Sequence, residues 1–184
     1  FGRVFNMFDF QTTQTSTAVR MDRDICLVVD RSSSMKLSIN SATPNMSTGD
    51  PRFCEPPRSD SRRAALAVAV RDFNAALGAT PQVEHVGLVS FASNYTGCGF
   101  SNSSSSIDQS LSSDVSRVDS AMNAISARVF NGNTNIAAGM QNGINVLTNP
   151  ATARPYALKT MILLTDGIRT EGGDPMNLTG NAVD

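Results

Sequence analysis

The chain has a single histidine, His85, and that scarcity closes off one branch of chemistry at once. A Ser-His-Asp hydrolase needs a histidine base beside its serine. His85 opens an apolar stretch far from the serine-rich segment near residue 32, and there is no G-x-S-x-G elbow. The phosphate-cradling G-x-x-x-x-G-K-[ST] loop and the dinucleotide G-x-G-x-x-G pattern are absent too. A net charge of −1 leaves no basic field to draw nucleic acid. The longest uninterrupted apolar run, Ala64–Val70, is far short of the ~20 residues that span a bilayer. The three cysteines make no CxxC pair, which disfavours a zinc site. Cys26 sits in an apolar run, where a buried thiol is ordinary. Cys54 and Cys98 lie in polar, loop-like sequence and are either a disulfide or two unrelated thiols; a bridge would imply an oxidising compartment.

What remains is globular in character. The 184 residues suit one domain with a real core, being 40% apolar and 17% charged. Residues 1–22 are Thr/Gln-rich without periodicity and read as a leader or linker, with 23–184 as the domain. The first residue is Phe1 rather than Met, so a native start, and with it a signal peptide or membrane anchor, is expected upstream.

Asp24–Asp30 (DICLVVD) is a continuous apolar run ending in an acid, as in a strand covered on both faces. Residues 36–58 are rich in Ser, Pro and Asn and read as a long surface excursion. Ser59–Leu77 is Ala-rich, with Leu66, Val70, Phe73 and Leu77 at helical spacing, Ser59 or Asp60 as cap and Gly78 as stop. Val83–Ala92 reads as a strand, 94–106 as a Gly/Ser-rich turn region and Ile107–Leu111 as a short strand. Asp114–Ala127 and Asn133–Leu147 carry helical periodicity, and Ala157–Asp166 is a further apolar strand ending in an acid. Strands alternating with amphipathic helices predict an α/β fold, doubly wound on a mostly parallel sheet. Ligands of such sheets bind beyond the carboxyl ends of the strands, where Asp30 and Asp166 both stand.

The loop after the first strand is Asp30-Arg31-Ser32-Ser33-Ser34, a D-x-S-x-S pattern. One carboxylate and two hydroxyls at alternate positions can turn three oxygens toward one point, and hard cations such as Mg²⁺ take oxygen ligands with one or two carboxylates. Gly132-Asn133-Thr134-Asn135 offers a hydroxyl just before a helix. Leu164-Thr165-Asp166-Gly167 ends a strand with a second carboxylate. The bland alternatives are a capping or Asx-turn cluster at Asp30, Ser32 and Ser34, a helix N-cap at Thr134 and a turn acid at Asp166. Arg31 and Met35 read as loop fillers, and Glu171 and Asp174 as solvated acids.

These three elements, in this order, resemble the metal-ion-dependent adhesion site of von Willebrand factor A domains, over about residue 24 to the end. The resemblance implies that Asp30, Ser32, Ser34, Thr134 and Asp166 hold Mg²⁺ (or Mn²⁺ or Ca²⁺), directly or through water. It implies a binding module rather than an enzyme: a protein partner's Asp or Glu completes the metal's shell. Ser33 stands where many members have Gly. The stretches DICLVVDRSSSM, NGNTNIAAGM and TMILLTDG look like bacterial A-domain proteins of the TadG group, which face outward on an N-terminal membrane tether. The expectation is therefore an extracytoplasmic domain, at the cell surface or in the periplasm, whose only link to a membrane is an upstream anchor. A structural role in assembling a Tad-type pilus apparatus is the alternative. A metal-assisted enzyme subunit would need a general base, and the only candidates, Asp30 and Asp166, are already taken up by the metal. The family fold has six strands; with the sequence ending at Asp184, its last two are expected to be missing and the lone chain to be poorly stable.

Overall fold

In the computed structural model, which describes residues 22–182, the three parallel strands fall where runs of apolar residues predict them. The first strand, β1 (Arg23–Asp30), is buried from Asp24 onward. It pairs in parallel with β2 (His85–Phe91) on one side and with Leu158–Leu164 on the other. After β2 comes a small antiparallel hairpin, β3 (Tyr95–Gly97) and β4 (Phe100–Asn102), then β5 (Ser105–Ser112). Leu158–Leu164 is β6, and the main sheet runs β5-β2-β1-β6. Three of its strands are parallel; β5 is antiparallel to β2, with register shifts around Leu88. The sheet is thus mixed and mostly parallel, four-stranded among the described residues, with β6 at an edge. The expected leader, residues 1–22, lies outside the described residues apart from Asp22.

Successive side chains of a strand point to opposite faces, so a strand buried on both sides feeds two cores. Ile25, Leu27 and Val29 pack with Leu66 and Val70 of α1 (Arg62–Gly78) and with Val118, Met122 and Ile125 of α2 (Ser116–Ala127). Cys26 and Val28 point the other way, to Val146 and Leu147 of α3 (Ile136–Leu147). The approach of α3 depends on missing side chains. A Cβ at Gly139 would lie 2.6 Å from the Phe91 ring, and one at Gly143 would lie 2.7 Å from Met161 Cε and 2.9 Å from Val28 Cγ2. Glycine at both positions seats the helix on β1 and β2, and this fixes where the loop entering α3 meets the sheet.

Several local expectations change. The cap of α1 is Ser61, whose Oγ accepts from the Ala64 amide at 3.1 Å, rather than Ser59 or Asp60. Gly78 is the last residue of α1 rather than its stop. The turn region after β2 contains the β3–β4 hairpin, turned by Cys98 and Gly99 at φ of 52° and 78°. The excursion of residues 36–58 is not merely surface. Leu37, Met46 and Phe53 form a small core of their own with Tyr95, and Cys54 is joined to Cys98 of the hairpin by a disulfide.

Candidate metal centre

Asp30 ends β1 at the carboxyl edge of the sheet and is fully buried. Its Oδ1 accepts from the Ser32 amide at 2.7 Å, which folds the chain back in a tight Asx turn. Its Oδ2 accepts from the Thr165 hydroxyl at 2.6 Å, at the end of the neighbouring β6. Burial pushes the Asp30 carboxyl above its ordinary range; Thr165 and Ser32 pull it down, and nearby Asp166 adds to the rise. The turn puts two hydroxyls on one side: Ser32 Oγ and Ser34 Oγ lie 3.0 Å apart, and Ser34 Oγ donates to Asp166 Oδ1 at 3.0 Å. A chain of oxygens therefore runs from the β1 loop to the β6 loop.

Thr134 comes to the same edge on the loop before α3. It is buried, and it lines one cleft with Ser32 and Ser34. A Cβ at Gly167, the residue after Asp166, would lie 3.7 Å from Thr134 Oγ1. Thr134 does not cap α3; that part is played by Asn135, whose side chain accepts from the Ala138 amide at 3.1 Å. Thr134 is held by its backbone instead. Its amide donates to Thr170 Oγ1 at 2.9 Å, and its carbonyl accepts from the Thr170 and Glu171 amides. All five residues singled out in the sequence thus meet at one edge. Among the described residues no three His, Cys, Asp or Glu side chains cluster as metal ligands, so a cation at this edge would take much of its donor set from hydroxyls.

The cleft over these hydroxyls has a volume of about 370 Å³. One wall is the excursion, through Asn45, Met46, Thr48 and Phe53; another is the hairpin, through Asn94 and Tyr95. The Cys54–Cys98 disulfide joins the two walls. Beneath them Lys36 is buried and donates to the Phe53 carbonyl and, at 2.5 Å, to Asn131 Oδ1. Burial lowers its pKa to about 8.

The von Willebrand factor type A domain model matches residues 24–184 of the sequence. The chain belongs to that family. Among solved structures, this A domain is similar to the pilus adhesin SpaC of Lactobacillus rhamnosus GG, at 26% identity and a TM-score of 0.54; 82% of this chain aligns with 16% of SpaC. An aerotolerance-related membrane protein of Bacteroides fragilis shares the fold at 18% identity and a TM-score of 0.54, over 82% of this chain and 57% of that one. The PilB minor pilin of Streptococcus sanguinis does so at 21% identity and a TM-score of 0.50, over 84% and 32%. This A domain therefore spans less than two thirds of each of these relatives. No curated protein matches the sequence.

Sequence reasoning missed the residues that hold the A-domain loop in place. Arg31 and Met35 are not loop fillers. Arg31 is buried with its guanidinium 4.3 Å from the Phe130 ring centroid and donates to the Ser103 carbonyl at 2.9 Å. Met35 joins the main core. Arg63 is wholly buried and donates to the Arg31 carbonyl at 2.7 Å and the Arg128 carbonyl at 3.2 Å. Burial drops its pKa to about 10, against the pull of Asp30. Arg62 sets its guanidinium 2.5 Å from Asp166 Oδ2 and also donates to the Thr43 carbonyl at 3.1 Å, tying the excursion to the site. Ser33, in the position often held by Gly, clips two loops together: its Oγ donates to the Gly132 carbonyl at 3.1 Å and accepts from the Gly132 amide at 3.0 Å. Nothing in the charge pattern distinguishes Arg62 and Arg63 from other arginines; their place at the first turn of α1 does so only once α1 is known to begin at Arg62.

Proposed function

We propose that this A domain is a metal-dependent protein-binding module of a bacterial surface or envelope protein. Asp30, Ser32, Ser34, Thr134 and Asp166 would hold a divalent cation, with Mg²⁺ preferred. The bound ion would supply positive charge with an open position for a partner's Asp or Glu carboxylate. The observation that carries this reading is the oxygen spacing. Octahedral oxygen ligands at about 2.1 Å from Mg²⁺ stand about 3.0 Å apart along each edge of the shell. Ser32 Oγ to Ser34 Oγ and Ser34 Oγ to Asp166 Oδ1 are both 3.0 Å. The donor chemistry agrees. Asp30 is buried with a backbone amide and a hydroxyl as its hydrogen-bond partners, and a nearby cation would offset the cost of its charge.

The likeness to a pilus adhesin supports the adhesive role and an extracytoplasmic setting. So does the Cys54–Cys98 disulfide, which suits an oxidising compartment. No helix of the described residues is long and apolar enough to cross a membrane.

Calorimetric titration of the full chain with MgCl₂ and MnCl₂ tests the site. The wild type should bind one ion, and Asp30→Ala should lose most of that affinity. Because Asp30 is buried, Ser34→Ala is run beside it as a milder change, with circular dichroism to confirm that each variant is folded. Equal binding by the wild type and folded variants would overturn the proposal.

A further inference from the structure

Resting on the reading just given, the inference concerns what sits beside the bridging acid. The cleft is lined by amides, hydroxyls and a few apolar groups, and among its lining residues Glu171 carries the one charge. Lys36 lies under the wall but is turned inward onto Phe53 and Asn131. Arg62 reaches Asp166 from the opposite flank, in a separate groove with Met35 and Leu163. The cleft thus places a lone carboxylate next to the proposed metal hydroxyls, with no lining cation to neutralise it.

Glu171 is also held in place. Its amide donates to the Thr134 carbonyl at 3.2 Å, and its Oε2 accepts from Asn133 Nδ2 at 3.1 Å. The preceding Thr170 takes the Thr134 amide on its hydroxyl at 2.9 Å. The following Gly172 has a φ of +82°, and a Cβ there would fall 2.1 Å from the Asn135 side chain, so only glycine lets the loop lie this close to the α3 cap. The acid therefore rides on the same short segment, 133–135, that presents Thr134. The opposite walls are joined by the Cys54–Cys98 disulfide, so the space between metal site and acid is bounded on several sides.

We infer that the partner of this site is a peptide segment in which the bridging Asp or Glu has a Lys or Arg next to it, the cation pairing with Glu171 while the acid goes to the metal. Charge complementarity decides the choice. Glu171 is solvent-exposed, so its preference is modest: an acidic neighbour would be repelled by it, a neutral one would gain nothing from it, and a basic one would be drawn to it.

The test uses the full chain in MgCl₂ and short fluorescent peptides carrying one Asp flanked by Lys, Ala or Glu, with the flanking residue tried on either side. Fluorescence polarisation should rank Lys above Ala above Glu, with roughly fivefold to tenfold between the ends of the series. Glu171→Lys should reverse the ranking, Glu171→Gln should flatten it, and EDTA should abolish binding of every peptide. Equal Mg²⁺-dependent binding of all peptides, or an unchanged ranking in Glu171→Lys, overturns the inference. So does binding of none of the peptides by a domain that calorimetry shows to be Mg²⁺-loaded, and the metal site then still stands. Failure of Mg²⁺ to bind in calorimetry instead overturns the metal reading on which the inference rests.

Discussion

Asp24 is a buried acid with three hydrogen bonds and lies at the end of β1 opposite the cleft, so replacing it tests the fold without touching the site. Its carboxylate is fully buried. It accepts from Arg154 Nε at 2.8 Å, from the Arg154 amide at 2.8 Å and from Lys159 Nζ at 2.6 Å, fastening the segment before β6 to the start of β1. Asp24→Asn removes the charge and keeps the shape. Breaking a buried pair costs about 3–5 kcal/mol when the orphaned partner stays dry. Here Arg154 and Lys159 remain 22% and 33% exposed and can rehydrate, and Asn keeps one acceptor. The expected loss is therefore about 2–3 kcal/mol, or about 1 M in urea midpoint for a denaturant slope near 2 kcal/mol/M. The pH dependence carries the sign. Burial alone would raise the Asp24 pKa, but the Lys159 and Arg154 bonds outweigh it and hold it below the ordinary 3.8. A depressed native pKa gives stability that is fully present above the ordinary value and is lost as pH falls through the native value. The gap between wild type and Asp24→Asn should thus be full at pH 7, shrink below pH 3.8 and close in stronger acid. Urea melts of both proteins between pH 2.5 and 7 measure it. A gap that stays constant with pH would mean that the substitution acts through packing, and the electrostatic account would be wrong.

Three further outcomes follow from packing and from chain connectivity. Gly143→Ala forces a methyl to within 2.7 Å of Met161 Cε and 2.9 Å of Val28 Cγ2, and should cost about 1–3 kcal/mol in a thermal or urea melt. Gly78→Ala, in the last turn of α1 with nothing within 4 Å, should instead stabilise by up to about 1 kcal/mol in the same assay. Cys54→Ser with Cys98→Ser opens a loop closed across a sequence separation of 44 residues, which chain entropy values at about 4 kcal/mol. Limited proteolysis should then cut first within the excursion of residues 36–58, and an unchanged digestion pattern would show that the small core around Phe53 holds that wall without the disulfide.

The legible part of the fold was the part set by burial on two faces. Asp24–Asp30 is apolar at every central position because alternate residues feed different cores, and the strands ending in Asp30 and Asp166 could be placed at one edge from pattern alone. The convergence of the five residues of the proposed site was legible for the same reason, since each follows a strand or precedes a helix at a readable boundary. What stayed hidden depends on partners distant in sequence. That β5 runs antiparallel is set by its pairing with β2, and its own residues, Ser105–Ser112, carry no direction. The excursion looks solvated because Ser, Pro and Asn dominate it, yet Leu37, Met46 and Phe53 bury together once Cys54 is joined to the hairpin. Glu171 is the exposed acid that its sequence suggests, and what stayed hidden is that Thr134 and Asn133 hold it beside the cleft.

The arginines show how a loop of hydroxyls and buried acid can be stiff. A loop that turns back on itself directs carbonyls inward, and each buried carbonyl needs a donor. Arg63 supplies donors to the carbonyls of Arg31 and Arg128, and Ser33 exchanges two hydrogen bonds with Gly132, so the loop after β1 is tied both to α1 and to the loop before α3. Arg62 does the same for Asp166 and for the excursion carbonyls, while its charge and that of Arg63 face the two acids of the site. Arg62 pairs directly with Asp166, whereas Asp30 exerts only a longer-range pull on Arg63 and is still raised by its burial. Ser32, Ser34 and Thr134 are left as neutral oxygens toward the cleft. An ion seated there would take part of its shell from neutral hydroxyls, so the two acids would not quench it alone, and the charge left on it is what an incoming carboxylate needs.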